Sequence, residues 1–335
     1  MGIDFRAGKG EARVASPGDE HPLDVGFLLV PGFPLMSYAA AVEPMRAANQ
    51  LSGRALYRWW HASPDDRPVS ASNGVAILPD VGLGDAKLAA ARFFICAGGN
   101  PSAFDDARVF DALRRLARRG TAIGGISGGP YALARAGLLD GRRCTLHWEH
   151  IPAFQESFPK VRVARSLFEI DGDRITCSGG IAALDMMLRL IAEDHGGTLA
   201  AEVGDWFLHD QIREGPSPQR MSVPLRLGVR DPRLVRVLEA IDSHLERPLS
   251  RQALAGVACV SQRQLERLFA AALGRTLHQY YLQQRLARAY RLERETVMSL
   301  AEIAGATGFS SGMELRRAQR RVARGSPDAA SVAGR

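Results

Sequence analysis

Several things are scarce in this chain of 335 residues, and each scarcity removes a class of protein. It has only four cysteines, Cys96, Cys144, Cys177 and Cys259, widely scattered and with no Cys-x-x-Cys pair. That spacing argues against a disulfide framework or a zinc knuckle. No run of about 18 apolar residues occurs, so no transmembrane helix is expected. The first residues, with Asp4, Glu11 and Asp19, lack the apolar core of a signal peptide. These absences together predict a protein kept in the cytoplasm, without membrane contact. Lysine is nearly missing, three against 40 arginines, which reads as a coding bias rather than a mechanism. What is present is a chain with 46% hydrophobic and 24% charged residues of both signs. That composition suits a folded protein with room for two domains, each burying its own core.

The net charge of +7 becomes informative once it is located. Residues 226–335 hold nineteen arginines, no lysine and ten acids, a net of +9, which leaves −2 for residues 1–225. The positive excess, the expected footprint of a polyanionic partner, therefore belongs to the last third alone.

Residues 1–22 are polar and aperiodic and are expected to be a disordered leader. From Asp24 onward, short apolar runs alternate with helical periodicity: strands over 25–30, 57–62, 92–97 and 121–126, and helices over 35–51, 103–119 and 129–136. This alternation predicts an α/β sandwich on a mainly parallel sheet over residues 23–212. Segments 161–163 and 167–170 are expected to face 174–177 across Asp171-Gly172-Asp173 as a hairpin, with a long helix over 181–193 closing the unit. Residues 213–230, which carry Pro216, Pro218 and Pro224, read as a linker. Beyond Asp231-Pro232 only helical periodicity remains, predicting an all-α domain over 231–327 and a tail over 328–335.

Two helix-turn-helix patterns fit in the helical domain. In the first, Ser250 caps a short helix, the chain turns at Cys259-Val260, and Ser261 with Gln264 forms a capping box for a second helix. Leu265, Leu268 and Phe269 share one face of that helix, and Gln262, Arg263, Glu266 and Arg267 share the other. A recognition helix needs this division, since its apolar side sets its angle while Gln and Arg reach base edges or phosphates. A long helix over 277–295 joins it to the second pattern. There Ser299 and Glu302 form another box, Thr307-Gly308-Phe309 turns, and Ser311 with Glu314 opens a helix bearing Arg316, Arg317, Arg320 and Arg321. Two units on one rigid helix would enter successive major grooves, roughly 34 Å apart. The stretches Arg247-Pro-Leu-Ser250, Ser261-Gln-Arg-Gln-Leu-Glu-Arg-Leu-Phe269 and Ser299 to Ser310 are similar to the AraC/XylS DNA-binding domain. That resemblance covers about residues 231–327. It departs in the last helix, where the family carries aromatic residues and this chain has Leu315, Gln319 and Ala323, which predicts either a less stable second unit or one that binds phosphates more than bases.

In the α/β part, Gly125-Ile126-Ser127-Gly128-Gly129 between a strand and a helix matches the G-x-S-x-G nucleophile elbow. A serine hydrolase or amidase is one reading, with Asp185 and His195 or His209 as partners. The other is that a glycine-rich elbow lets a helix start approach a ligand or the sheet. Pro31-Gly32-Phe33, Glu43-Pro44, Cys96-Ala-Gly-Gly99 and Gly125-Ile-Ser-Gly128 resemble the PfpI-type branch of the class I glutamine amidotransferase-like fold. Catalytic members of that branch place a cysteine at the elbow, assisted by a glutamate after the first strand, which Glu43 matches, and a glycine-rich turn. Here the elbow holds Ser127, and a hydroxyl is not activated by a carboxylate alone, so the resemblance implies no enzyme.

An elbow domain without its cysteine, joined to an AraC-type reader, resembles the GlxA-type transcriptional regulators over about residues 24–327. The resemblance implies an activator that senses a small nitrogen metabolite such as glycine betaine, carnitine or an amino acid. It also implies promoter DNA and RNA polymerase as partners, and a homodimer. Candidate ligand residues are Phe33, Glu43, Gly99, Asn100, Ser127, Gly128, His147 and Trp148, with aromatic faces to hold a quaternary ammonium. Trp59 and Trp60 adjoin on a strand, so at most one of them can face a pocket. Candidate DNA residues are Gln262, Arg263, Arg267, Ser310, Ser311, Arg316 and Arg317. The run His147-Trp-Glu-His150 is not a zinc motif, because i and i+3 do not converge near a strand end. No metal or cofactor is expected.

Overall fold

The computed structural model describes residues 21–83 and 90–325. Apart from His21 and Pro22, the expected leader lies outside the described residues, as does the expected tail. The chain divides into two compact units, residues 1–219 and 220–335.

The first unit is built on seven strands: β1 (Leu23–Leu29), β2 (Tyr57–Ser63), β3 (Val81–Gly82), β4 (Arg92–Ala97), β5 (Ala122–Ser127), β6 (Phe168–Asp171) and β7 (Arg174–Cys177). Their spatial order is β6-β7-β5-β4-β1-β2-β3, and only the β6–β7 hairpin is antiparallel. Both faces are covered, as a parallel sheet requires. On one side pack α1 (Leu35–Ser52), α5 (Ala182–His195) and α6 (Gly197–Trp206). On the other lie α2 (Ala107–Arg118), α3 (Pro130–Arg135) and α4 (Ile151–Ser157). Alternation along the strands feeds the two layers. Val25, Phe27 and Leu29 enter the first and Leu28 and Val30 the second, while Trp59 and Trp60 part in the same way. The chain leaves β1 toward β2 and β3, then returns to lay β4 on β1's other side, which makes the carboxyl ends of the strands around β1 and β4 the switch point of the sheet.

Three expectations of local structure change. Arg162–Val163 pairs in parallel with Arg143–Cys144 rather than joining the hairpin, because Phe168–Asp171 already occupies that edge of β7. The helix expected over 103–119 is a short 3-10 turn, Pro101–Ala103, followed by α2, whose start is fixed by Asp106 accepting the Arg108 N–H. Residues 213–219 are not a free linker. Gly215 accepts the Leu167 N–H, Pro218 bridges Ser166, and Gln219 is tied to three groups of the first unit.

The second unit starts in the remainder of that segment with α7 (Val223–Leu227), whose Val223 is buried with Val229, Leu234 and Phe269. It continues through α8 (Pro232–Ser243), α9 (Arg251–Val257), α10 (Gln262–Leu273), α11 (Leu277–Glu295), α12 (Leu300–Ala306) and α13 (Gly312–Gly325). Caps set the boundaries. Asp231, Ser250, Ser261, Thr276 and Ser299 each accept a backbone N–H at the helix start, and Thr276–Gln279 and Ser299–Glu302 close reciprocal boxes. Ser261 caps α10 by accepting the Gln264 N–H, which is one half of the expected box; the reciprocal half is seen at Thr276 and Ser299 and not at Ser261. The Tyr281 hydroxyl donates to His244 O and accepts from Leu249 N, pinning α11 to the α8–α9 turn.

Candidate functional site

The elbow forms where the sequence places it. β5 ends at Ser127, which takes a left-handed φ of 61°, a conformation that costs a non-glycine residue of order 1–3 kcal/mol and is held only by its surroundings. One of those surroundings is Gly179, at φ +87°, where a Cβ would stand 2.7 Å from Ser127 Cβ and 2.9 Å from Ser37 Oγ. The β7–α5 turn thus lies directly on the elbow. It is locked there by Gly180, whose N–H donates to Ser37 Oγ at 2.6 Å. Ser127 O in turn accepts the His147 N–H at 3.2 Å. The hydroxyl that a nucleophile elbow would present to solvent is instead covered, Ser127 being 5% exposed.

Beside this turn is a cavity of about 220 Å³. Trp148 and His147 form one wall, Ser178 to Gly180 and the start of α5 another, and Arg213 and Gln219 a third. The Arg213 guanidinium is half-buried and anchored on Asp185, which is fully buried. Asp185 accepts from Arg213 N (2.9 Å), Nε (3.0 Å) and Nη2 (2.5 Å), and from His209 Nε2 at 2.8 Å. Since a carboxylate only accepts, His209 Nε2 carries the proton. Gln219 Nε2 donates to Leu146 O, Ser166 O and Thr145 Oγ1. Two of these acceptors are carbonyls, so the orientation of the amide is fixed.

Of the residues expected at the ligand site, His147 and Trp148 line this cavity, and Ser127 and Gly128 lie in the elbow next to it. Phe33 is corrected: it is fully buried in the α1-side core, edge-on to Tyr38 at 5.8 Å, because the Pro31-Gly32 turn folds it inward. Glu43 is also corrected. It sits half-exposed on α1 in an ion pair with Arg46 at 2.7 Å, and the α1 residue that reaches the elbow is Ser37, two turns earlier. Gly99 and Asn100 line a different crevice of about 470 Å³, formed with Pro31, Pro64 and Asp65 over the ends of β1, β2 and β4. Ser37, Ser178 to Gly180, Arg213 and Gln219 were not legible as site residues. The polar residues among them belong to segments read as helix start and linker, and only chain crossing brings them together.

The hydrolase partners do not assemble. His195 lies edge-on to Tyr57, the first residue of β2, at 5.1 Å. It is therefore at the amino-terminal ends of the parallel strands, whereas Ser127 ends β5. His209 is bound to Asp185. Among the described residues no group of three His, Cys, Asp or Glu side chains could hold a metal ion, and the His147 and His150 rings are 5.8 Å apart.

In the second unit, Gln262, Arg263 and Arg267 are exposed on α10, opposite buried Leu265 and Phe269. The turn before it is made by Cys259 at φ 53°. The equivalent turn before α13 uses Gly308, clamped by Arg285, which donates to Thr307 O and Gly308 O and lies 3.9 Å over the Phe309 ring. Ser310 and Ser311 are exposed but engaged: Ser310 N–H and Oγ donate to Glu314, and Ser311 Oγ accepts the Glu314 N–H. Arg317 is exposed, while Arg316 leans on Glu293 at 3.4 Å. In the atypical last helix Leu315 is fully buried, and Gln319 is 6% exposed but donates to Glu293 Oε1 and accepts from Arg316. The buried amide is satisfied, so it does not add the penalty of an unpaired polar group to the apolar burial lost with the aromatic.

A doubly wound domain with an elbow over a small cavity, followed by two helix-turn-helix units, defines the class as a two-domain transcriptional regulator. Residues 29–193 match the DJ-1/PfpI family and residues 254–330 a helix-turn-helix domain. The chain is 44% identical to the HTH-type transcriptional regulator GlxA of Rhizobium meliloti, over 92% of this chain and 95% of that protein. It is 44% identical to CdhR and 43% to GbdR of Pseudomonas aeruginosa, over 89% and 88% of this chain and 88% and 80% of theirs. An AraC family transcriptional regulator from Pseudomonas putida superposes with a TM-score of 0.51 at 26% identity, covering 56% of this chain and all of that one. The chain belongs to the GlxA-type regulators of the AraC/XylS family. Among the described residues no helix is long and apolar enough to cross a membrane.

Proposed function

We propose that this protein is a cytoplasmic, sequence-specific DNA-binding activator that responds to a small nitrogen metabolite bearing a carboxylate, and that the α/β unit is a sensor and not an enzyme. The observation that carries this reading is that one wall of the sensor cavity is the segment that ends the unit. Arg213 and Gln219 line the cavity, and the division between the units falls immediately after Gln219. A ligand seated there touches the piece of chain that continues into the reader. Trp148 offers an aromatic face to an ammonium group and Arg213 a cation to a carboxylate, which suits zwitterions such as glycine betaine, carnitine or an amino acid. Promoter DNA meets Gln262, Arg263 and Arg267 on α10 and Arg317 on α13, with a homodimer covering paired half-sites and RNA polymerase as the downstream partner.

A thermal-shift screen of betaines, carnitine, choline derivatives and amino acids tests the sensor. A true effector raises the melting temperature of the wild type but not of Trp148→Ala or Arg213→Ala, and changes operator affinity. No response to any zwitterion defeats this reading. The strained φ of Ser127 favours the competing hydrolase reading, which a serine-directed phosphonate decides. Labelling at Ser127, with turnover lost in Ser127→Ala, would establish it. The covered hydroxyl predicts no labelling.

A further inference from the structure

The two reading helices start in the same way but present different chemistry. In α10, Ser261 Oγ accepts the Gln264 N–H, and in α13, Ser311 Oγ accepts the Glu314 N–H, both at 3.2 Å. Counting from these caps, Gln262 corresponds to Gly312 and Arg263 to Met313. The first turn of α13 is otherwise accounted for. Gly312 has no side chain, and a Cβ there would stand 2.9 Å from Leu300 Cγ. Ser310, Ser311 and Glu314 are bonded to one another. Met313 remains, a large apolar side chain 81% exposed at the end of the helix that enters a groove first, with Arg316 and Arg317 one turn behind it.

An exposed apolar side chain amid arginines has no packing role within the unit. On the major-groove floor the C5-methyl of thymine is the apolar group that a side chain can bury, and the flexible, polarisable thioether of Met adapts to it. We propose that Met313 reads a thymine methyl in the second half-site, so that the two half-sites are recognised by unlike chemistry: hydrogen bonding through Gln262 and Arg263 in the first, methyl contact in the second. This rests on the reading of α10 and α13 as major-groove helices.

The test uses the full-length protein and a duplex it selects from a random pool. Each thymine of the selected site is replaced in turn by deoxyuridine, which removes only the methyl group. One such replacement in the second half-site is expected to weaken wild-type binding about four-fold, the affinity equivalent of one buried methyl. Met313→Ala should weaken binding to the thymine duplex by a similar factor and be indifferent to the replacement, and Met313→Leu should keep the dependence. Wild-type indifference to every deoxyuridine, or a dependence that survives in Met313→Ala, overturns the proposal. Enrichment of no duplex at all defeats the DNA-reading itself, a result distinct from a selected site without methyl dependence.

Discussion

Single side chains carry consequences that their neighbours set. Burial pushes the Cys144 and Cys177 thiols up to about 12, and Cys96 higher still, while Cys259 is exposed at the first helix-turn-helix bend. A thiol reagent at pH 8 should therefore modify one cysteine of the native protein and four after unfolding, as mass spectrometry would count; rapid modification of Cys96 would contradict the packing around it. Gly179 is a second case. Its left-handed φ and its contact with Ser127 leave no place for a methyl group. Gly179→Ala should destabilise the sensor unit by about 2 kcal/mol or more in denaturant unfolding, because it adds strain and displaces the elbow. On the DNA side, Arg263→Ala or Arg267→Ala should cost about 1–3 kcal/mol of specific affinity, read by titration against the selected duplex. A loss shared equally by unrelated sequences would reassign that residue to phosphate contact.

Helices of the reader depend on their caps more than on length, since α9 and α12 have only seven residues each and short helices are marginal alone. The Asp231 cap of α8 gives this a pH signature. Hydrogen bonds from the Arg233 side chain, then from its backbone N–H, hold the Asp231 carboxyl at about 2 against an ordinary 3.8. A carboxyl lowered in the folded state contributes stability that is present above its ordinary value and is lost as pH falls through about 2. Melting of the helical unit should thus weaken between pH 4 and pH 2. Asp231→Asn should reduce that slope while leaving the cap geometry, and Asp231→Ala should cost about 1 kcal/mol at pH 7. An unchanged slope in Asp231→Asn would show that other carboxylates dominate instead, such as Glu302, lowered by bonds from the capping Ser299, and Glu314, lowered by bonds from Ser310.

The described residues form two units that divide after residue 219, the first with a core on each face of its sheet and the second with its own, so calorimetry should resolve two transitions. An effector at 100 times its dissociation constant should stabilise only the sensor transition, by about 2.7 kcal/mol, and Asp185→Ala, which frees Arg213, should abolish that selectivity. Much of this organisation was readable beforehand. Strand and helix alternation, the Ser127 elbow, the caps at Ser250, Ser261 and Ser299 and the confinement of positive charge to the last third are local properties of composition and period, and the sequence alone carried them. The wall of the sensor cavity was not readable, because Ser37, Gly179, Arg213 and Gln219 lie far apart in the chain and meet only when α1, the β7–α5 turn and the departing strap fold onto β5. Phe33 and Glu43 lie outside the lining of the cavity for the same reason: a motif specifies which turn it makes, but which way each side chain faces is set by the layer packed against it. Sequence by itself determined most of the elements, since those follow from spacings of two residues in strands and three or four in helices. Tertiary structure alone decided what surrounds the cavity, because that depends on contacts between residues from 28 to 143 positions apart.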